Sequence, residues 1–169
     1  MTASAPAAEL HRPLIIDRVG PEGMEVEVLA TTAECAALAG RIQVPEVRAL
    51  SCRFRLSPLG GGTVLAEGHL LARTLRVCVV TLESFEAVTE ERFRLRFVPE
   101  GQESDDDDPE SDDEIPYRGA EIDLGEASAE QFALALDPYP RKPSAELPAA
   151  ARDAESHPFA MLAERAKRR

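Results

Sequence analysis

Leu50-Ser51-Cys52-Arg53-Phe54-Arg55-Leu56 alternates apolar and polar side chains, and Arg92-Phe93-Arg94-Leu95-Arg96-Phe97 repeats the pattern later in the chain. Period-two alternation is the signature of a strand with one face buried and the other in water. Between the two lies Ser57-Pro58-Leu59-Gly60-Gly61-Gly62, a break whose three glycines suit a hairpin tip, because positive φ costs glycine nothing. A phosphate-binding loop is the other reading of such a run, but no Lys-Ser/Thr follows and no helix pattern begins there. Val77 to Val80 reads as a further strand with little polar relief.

On the N-terminal side, Leu14, Ile15, Ile16 and Val19 precede the turn residues Gly20-Pro21-Glu22-Gly23, and Met24, Val26 and Val28 alternate with Glu25 and Glu27. This predicts two short strands joined by a reverse turn. Thr31 and Glu34 fit a capping box for a helix of about two turns, with Gly40 as its stop. Toward the C-terminus, Ala120 to Leu124 predicts a brief strand. Asp123 and Glu126 cap a helix running to about Leu136, which Pro138 and Pro140 terminate. The pattern as a whole is α+β: a mostly antiparallel sheet, or a partly open barrel, with two main helices. Residues 1–12 read as a flexible N-terminus, 13–138 as one domain, and 139–169 as a proline-rich linker with a short basic C-terminal helix.

The chain has 169 residues, 44% hydrophobic and 30% charged, which suits one globular core with tails. No apolar run is long enough for a spanning helix, and the start lacks the basic and apolar regions of a secretory signal. A cytoplasmic location is expected, with no membrane partner. Residues 100–114, EGQESDDDDPESDDE, hold ten carboxylates and no base, so they supply −10 of the net −12 and leave about −2 for everything else. Self-repulsion and the lack of apolar side chains predict a disordered, solvated loop. Such a run can be a solubilising insert, or an intramolecular mask over a basic face. The acidity is local, and it does not exclude a nucleic-acid partner.

No catalytic constellation emerges. Of the three histidines, His11 lies in the loose start, His157 in the linker, and only His69 in predicted structure. Cys35, Cys52 and Cys78 are an odd number without a CxxC pair, so neither a disulfide framework nor a thiolate metal site is suggested. Core packing is the expected role of Cys52 and Cys78, with the thiolate form disfavoured. No enzyme, cofactor or metal is expected.

The arginines are more informative. Six lie between Arg41 and Val80 against two acids, and residues 13–98 contain no lysine. If Leu50, Cys52 and Phe54 share a core with Phe93, Leu95 and Phe97, then Arg53, Arg55, Arg92, Arg94 and Arg96 share the opposite face. Alternate residues of a strand lie about 6.5 to 7 Å apart, close to the phosphate spacing of a nucleic acid. Guanidinium forks bind phosphate oxygens bidentately, so these five are candidate RNA contacts. Arg73, Arg76, Arg165, Lys167, Arg168 and Arg169 are weaker candidates. A solvated polar face neutralised by Glu83, Glu86, Glu90 and Glu91 is the competing reading. Two tyrosines and no tryptophan leave no evident stacking platform for unpaired bases.

Arg76-Val77-Cys78-Val79-Val80-Thr81-Leu82-Glu83-Ser84-Phe85 and Phe93-Arg94-Leu95-Arg96-Phe97 resemble the α-proteobacterial branch of the YceD family, also called large ribosomal RNA subunit accumulation protein. The similarity continues in Ile122-Asp123-Leu124-Gly125-Glu126 and in Glu130-Gln131-Phe132-Ala133-Leu134-Ala135-Leu136-Asp137-Pro138-Tyr139-Pro140-Arg141-Lys142-Pro143, and closes with Pro158-Phe159-Ala160-Met161-Leu162-Ala163. The resemblance implies a cytoplasmic, non-enzymatic factor supporting 23S ribosomal RNA levels. Its expected partner is ribosomal RNA or a large-subunit assembly intermediate, not DNA. A protein-interaction module docking on a basic ribosomal protein or a processing enzyme is the alternative. Many relatives outside this branch have a second cysteine near the position of Cys78 and more after the proline-rich turn, suggestive of a metal site. Val79-Val80-Thr81-Leu82 and Arg141-Lys142-Pro143-Ser144 contain none, so the resemblance implies no zinc here.

Overall fold

In the computed structural model, which describes residues 9–104 and 112–146, the central alternation forms a long antiparallel hairpin. Its arms are β3 (Glu46–Gly60) and β4 (Thr63–Val77). At the tip Gly60, Gly61 and Gly62 all take positive φ (92°, 62° and 86°), a region side-chain-bearing residues avoid. Leu50, Cys52, Phe54 and Leu56 point inward from β3 and are buried, opposite Ala72, Leu70, Gly68 and Ala66 of β4.

β2 (Met24–Leu29) adds antiparallel to β3, β5 (Ser84–Pro99) flanks β4, and β6 (Asp113–Tyr117) closes the far edge parallel to β5. The sheet order is β2-β3-β4-β5-β6, and a second, two-stranded antiparallel sheet pairs β1 (Pro13–Ile15) with β7 (Glu121–Asp123). Two helices, α1 (Thr32–Arg41) and α2 (Leu124–Ala135), complete an α+β fold.

Both helices begin as their caps dictate. The Thr31 hydroxyl accepts from the Glu34 amide while the Glu34 carboxylate accepts from the Thr31 amide, which satisfies two end groups of α1. Asp123 accepts from the amides of Gly125 and Glu126 at the start of α2. Cys35 and Leu38 of α1, and Leu124, Ala127, Ala129 and Phe132 of α2, join the inward faces of the sheet in one buried cluster. Arg41 of α1 ties the helices together, one guanidinium nitrogen lying 2.6 Å from Glu126 of α2. Phe54, Phe97 and Phe132 are fully buried; each contributes on the order of 1.5–3 kcal/mol of transfer free energy.

Four local expectations change. The two N-terminal strands do not pair with each other: a 3-10 turn (Ile16–Arg18) follows β1, which pairs with β7, while β2 pairs with β3. Gly40 lies inside α1, which ends one residue later, with Gln43 at φ 55° just beyond. The end of the acidic stretch is ordered as β6, because Ile115 and Tyr117 pack against the core and draw their acidic neighbours into register. Finally, Val77 to Val80 is not a strand. β4 stops at Val77, and a tight loop closes where Cys78 donates to the Glu83 carbonyl and Leu82 donates to that of Cys78.

The described residues form two compact units, 9–76 with 86–104 and 112–138, and 77–85 with 139–146. The first holds the sheets and helices. In the second, Val79 donates to the Pro140 carbonyl and Lys142 meets Glu83 at 3.0 Å. The predicted N-terminal tail up to residue 8, the centre of the acidic loop (105–111) and the C-terminal helix with Arg165, Lys167, Arg168 and Arg169 lie outside the described residues. Among the described residues no helix is long and apolar enough to cross a membrane.

Candidate nucleic-acid interface

The face of the sheet turned from the core follows from register. Arg53 stands between Glu27 and His69, and Arg55 between Glu25 and Glu67, as direct cross-strand partners. Partners in register project to the same side, so these rows share the outward face. β5 contributes Arg92 and Arg94 on either side of the inward-leaning Phe93. Together Arg53, Arg55, Arg92 and Arg94 line an open groove of about 800 Å³ with Glu25, Glu67, His69, Asp112 and Asp113, floored by the chain at Phe54, Gly68 and Phe93.

The floor is shaped by one contact. The Phe93 ring lies over Gly68, so close that a Cβ there would sit 2.1 Å from Cζ. The same ring meets Phe54 edge to face, centroids 5.8 Å apart and planes at 77°. Glycine leaves room for the aromatic cap, and the capped ring fixes the stretch of β5 that carries Arg92 and Arg94.

The guanidiniums are not equivalent. Arg53 pairs with Glu27 at 3.3 Å, exposed on both sides, and Arg94 with Asp112 at 3.4 Å, where the carboxylate is partly covered. Arg55 and Arg92 make no ion pair among the described residues, although Glu25 and Glu67 flank Arg55 in register. Arg96 leaves the set: it is half-buried against Glu114 at 3.1 Å, and its Nε is buried without a partner. His69 holds the Glu90 carboxylate at 2.8 Å on the rim. Four arginines against Glu25, Glu67, Asp112 and Asp113 leave the groove close to neutral. Exposed pairs of this kind are worth roughly 0–1 kcal/mol each, so a stronger anion can displace them.

The weaker candidates are dispersed. Arg73 lines a separate cleft of about 300 Å³ with Arg48 and Glu86, where Arg48 is paired with both Glu46 and Glu86. Arg76 is buried and donates to the Asp137 carbonyl at 2.7 Å, a packing contact rather than an exposed one. Sequence reasoning left out the carboxylates that share the groove. The alternation of Glu25 and Glu27 with the inward residues of β2 was the available signal, but their partners required the register.

Cys35 and Cys52 behave as core cysteines, and burial pushes the Cys52 thiol up to about 12. Cys78 departs from the expectation of a disfavoured thiolate. It is covered, yet the Thr81 hydroxyl and nearby backbone groups stabilise its anion and lower it to about 7. Among the described residues no group of three or more His, Cys, Asp or Glu side chains is placed to hold a metal ion.

Comparison with protein families then places the whole. The model for YceD, described as Large ribosomal RNA subunit accumulation protein YceD, matches residues 66–163, more than half of the chain. The chain belongs to the YceD family. The matched span runs from inside β4 through β5, β6, β7 and α2, and so includes Arg92, Arg94, Phe93 and Gly68 but not Arg53 and Arg55. The YceD description names an accumulation factor for large-subunit ribosomal RNA and no reaction. No curated protein and no solved structure matched the chain.

Proposed function

We propose that the protein is a cytoplasmic, non-enzymatic factor in large-subunit assembly that supports 23S ribosomal RNA accumulation by holding rRNA phosphates in the arginine-lined groove. The observation that supports this most is the placement of four arginines from two non-adjacent strands around one open groove, two of them without a carboxylate partner among the described residues. Arg55 and Arg92 take phosphate first. Arg53 and Arg94 then exchange a carboxylate on the groove surface for a phosphate, a swap that costs little near water. The near-neutral groove disfavours indiscriminate polyanion binding and makes the fit of the RNA backbone matter. The aromatic rings that line it, Phe54 and Phe93, pack on each other in the floor rather than stacking on bases, so an rRNA feature recognised by shape is the expected ligand.

Arg55→Glu with Arg92→Glu tests this. Retention of purified 23S rRNA falls at least tenfold while the melting transition is unchanged; undiminished retention overturns the phosphate contact.

A second reading has its own support. Leu29, Ser51 and Leu71 form a cross-strand row on the same outward face, with Leu29 56% and Leu71 40% exposed, next to the Glu27–Arg53–His69 row. Apolar side chains beside carboxylates suit a basic protein partner, a ribosomal protein for example. Co-purification of one stoichiometric protein without RNA would favour it.

A further inference from the structure

We propose that the carboxylate end of the acidic stretch is a built-in competitor for the groove: Asp112 occupies the Arg94 guanidinium that an RNA phosphate would otherwise take, and the neighbouring Glu114–Arg96 pair holds it in register. The inference rests on the phosphate contact proposed above and adds its regulation.

The geometry comes from strand direction. β6 runs parallel to β5, with Leu95 opposite Asp113, Arg96 opposite Glu114 and Pro99 opposite Tyr117. A parallel return cannot be made by a tight hairpin and needs a connection of about a dozen residues or more. The acidic stretch after Pro99 supplies that connection, and parallel pairing brings its end back alongside the arginines that precede it. Asp112 and Glu114, two apart, then match Arg94 and Arg96, also two apart, as a short zipper at 3.4 and 3.1 Å. Asp112 and Asp113 line the groove itself. A second hydrogen bond, Ser104 amide to Glu114 at 2.7 Å, holds the carboxylate in place.

The zipper is built to open from one end. β6 is an edge strand, five residues long and paired on one side. Its far end is anchored: the Tyr117 hydroxyl donates to the Gly62 carbonyl at 2.8 Å, and the Glu100 amide donates to the Tyr117 carbonyl at 3.0 Å. The Asp112 end carries charge pairs in place of such anchors. An incoming polyanion that takes Arg94 therefore peels Asp112 away first, while Tyr117 keeps the strand attached. Binding must displace the Arg94–Asp112 pair, which lowers affinity for short or weakly charged RNA more than for an extended phosphate surface.

The experiment compares the intact protein with Asp112→Asn plus Glu114→Gln, using purified 23S rRNA in filter retention across a salt series. Losing the competitor at Arg94, with the pair that aligns it, raises affinity roughly two- to fivefold at low salt. Unchanged or weakened binding overturns the competitor role. Asp112→Asn alone, with its exposed partner, guards against misfolding and gives a smaller gain in the same direction; no gain from it in a normally melting protein is also fatal. Arg55→Glu with Arg92→Glu runs alongside. Loss of binding there without a gain from the carboxylate variants removes the competitor alone, whereas no loss there removes the phosphate contact itself.

Discussion

Gly68→Ala is the smallest change that reaches both the packing and the groove. The added methyl would lie 2.1 Å from Cζ of Phe93 and within 2.6 Å of both its Cε atoms. The ring cannot retreat inward, because Phe54, fully buried, meets its edge. It must swing outward. Overpacking of this kind costs about 1–3 kcal/mol, and loss of the aromatic pair about 0.5–1.5 kcal/mol. The lower chain entropy of alanine in the unfolded state returns about 0.4–1 kcal/mol, so the net destabilisation is about 0.5–4 kcal/mol. Urea unfolding measures it as a lower midpoint with an unchanged m-value. Because Phe93 lies between Arg92 and Arg94, 23S rRNA retention falls in the same variant. Phe93→Leu in the Gly68→Ala background relieves the clash, and the pair couples non-additively in a double-mutant cycle. An alanine variant as stable as the parent would refute the claim that glycine makes room for the ring.

Two further predictions concern charge. Glu34 is held near 2, below its usual 4.5, chiefly by the Arg12 guanidinium and then by the Thr31 amide. A carboxylate with a lowered folded-state value stabilises the fold above the unfolded value, so that stability is lost as pH falls from about 4.5 toward about 2. In Glu34→Gln the acid-unfolding curve loses this component, and Thr31→Ala costs about 0.5–2 kcal/mol at neutral pH; an unaltered acid limb contradicts the assignment. For Cys78, which is covered, the thiolate absorbance at about 240 nm of the folded protein should rise with a midpoint near 7, and Thr81→Val should move it up toward the ordinary thiol value of 9.0. A midpoint indifferent to Thr81 would mean that the hydroxyl is not the cause.

What could be read from the chain is what depends on neighbours in sequence. The alternation at Leu50–Leu56, the glycine tip, the Thr31–Glu34 box and the Asp123 cap are each settled within a few residues, and each is realised. What could not be read depends on partners distant in sequence. The turn at Gly20–Gly23 joins β1 and β2 in sequence but does not name their partners, and each pairs with a strand from elsewhere. β6 was hidden because its acidic residues dominate the composition, while Ile115 and Tyr117 supply the packing. The Val77–Val80 run looked like a strand because its side chains are apolar, and the loop hydrogen bonds around Cys78 decided otherwise. The arginine face was legible as a face. That Arg96 is drawn off by Glu114, and that Glu25 and Glu67 flank Arg55, followed only from register.

The most direct test of the central claim is the salt dependence of 23S rRNA binding by the intact protein. If Arg53, Arg55, Arg92 and Arg94 each take a phosphate, log K falls against log salt with a slope of about −2.8 to −3.6, and Arg55→Glu with Arg92→Glu flattens it by about half. A slope near zero, or one untouched by those two substitutions, would contradict a groove that works by gripping the RNA backbone.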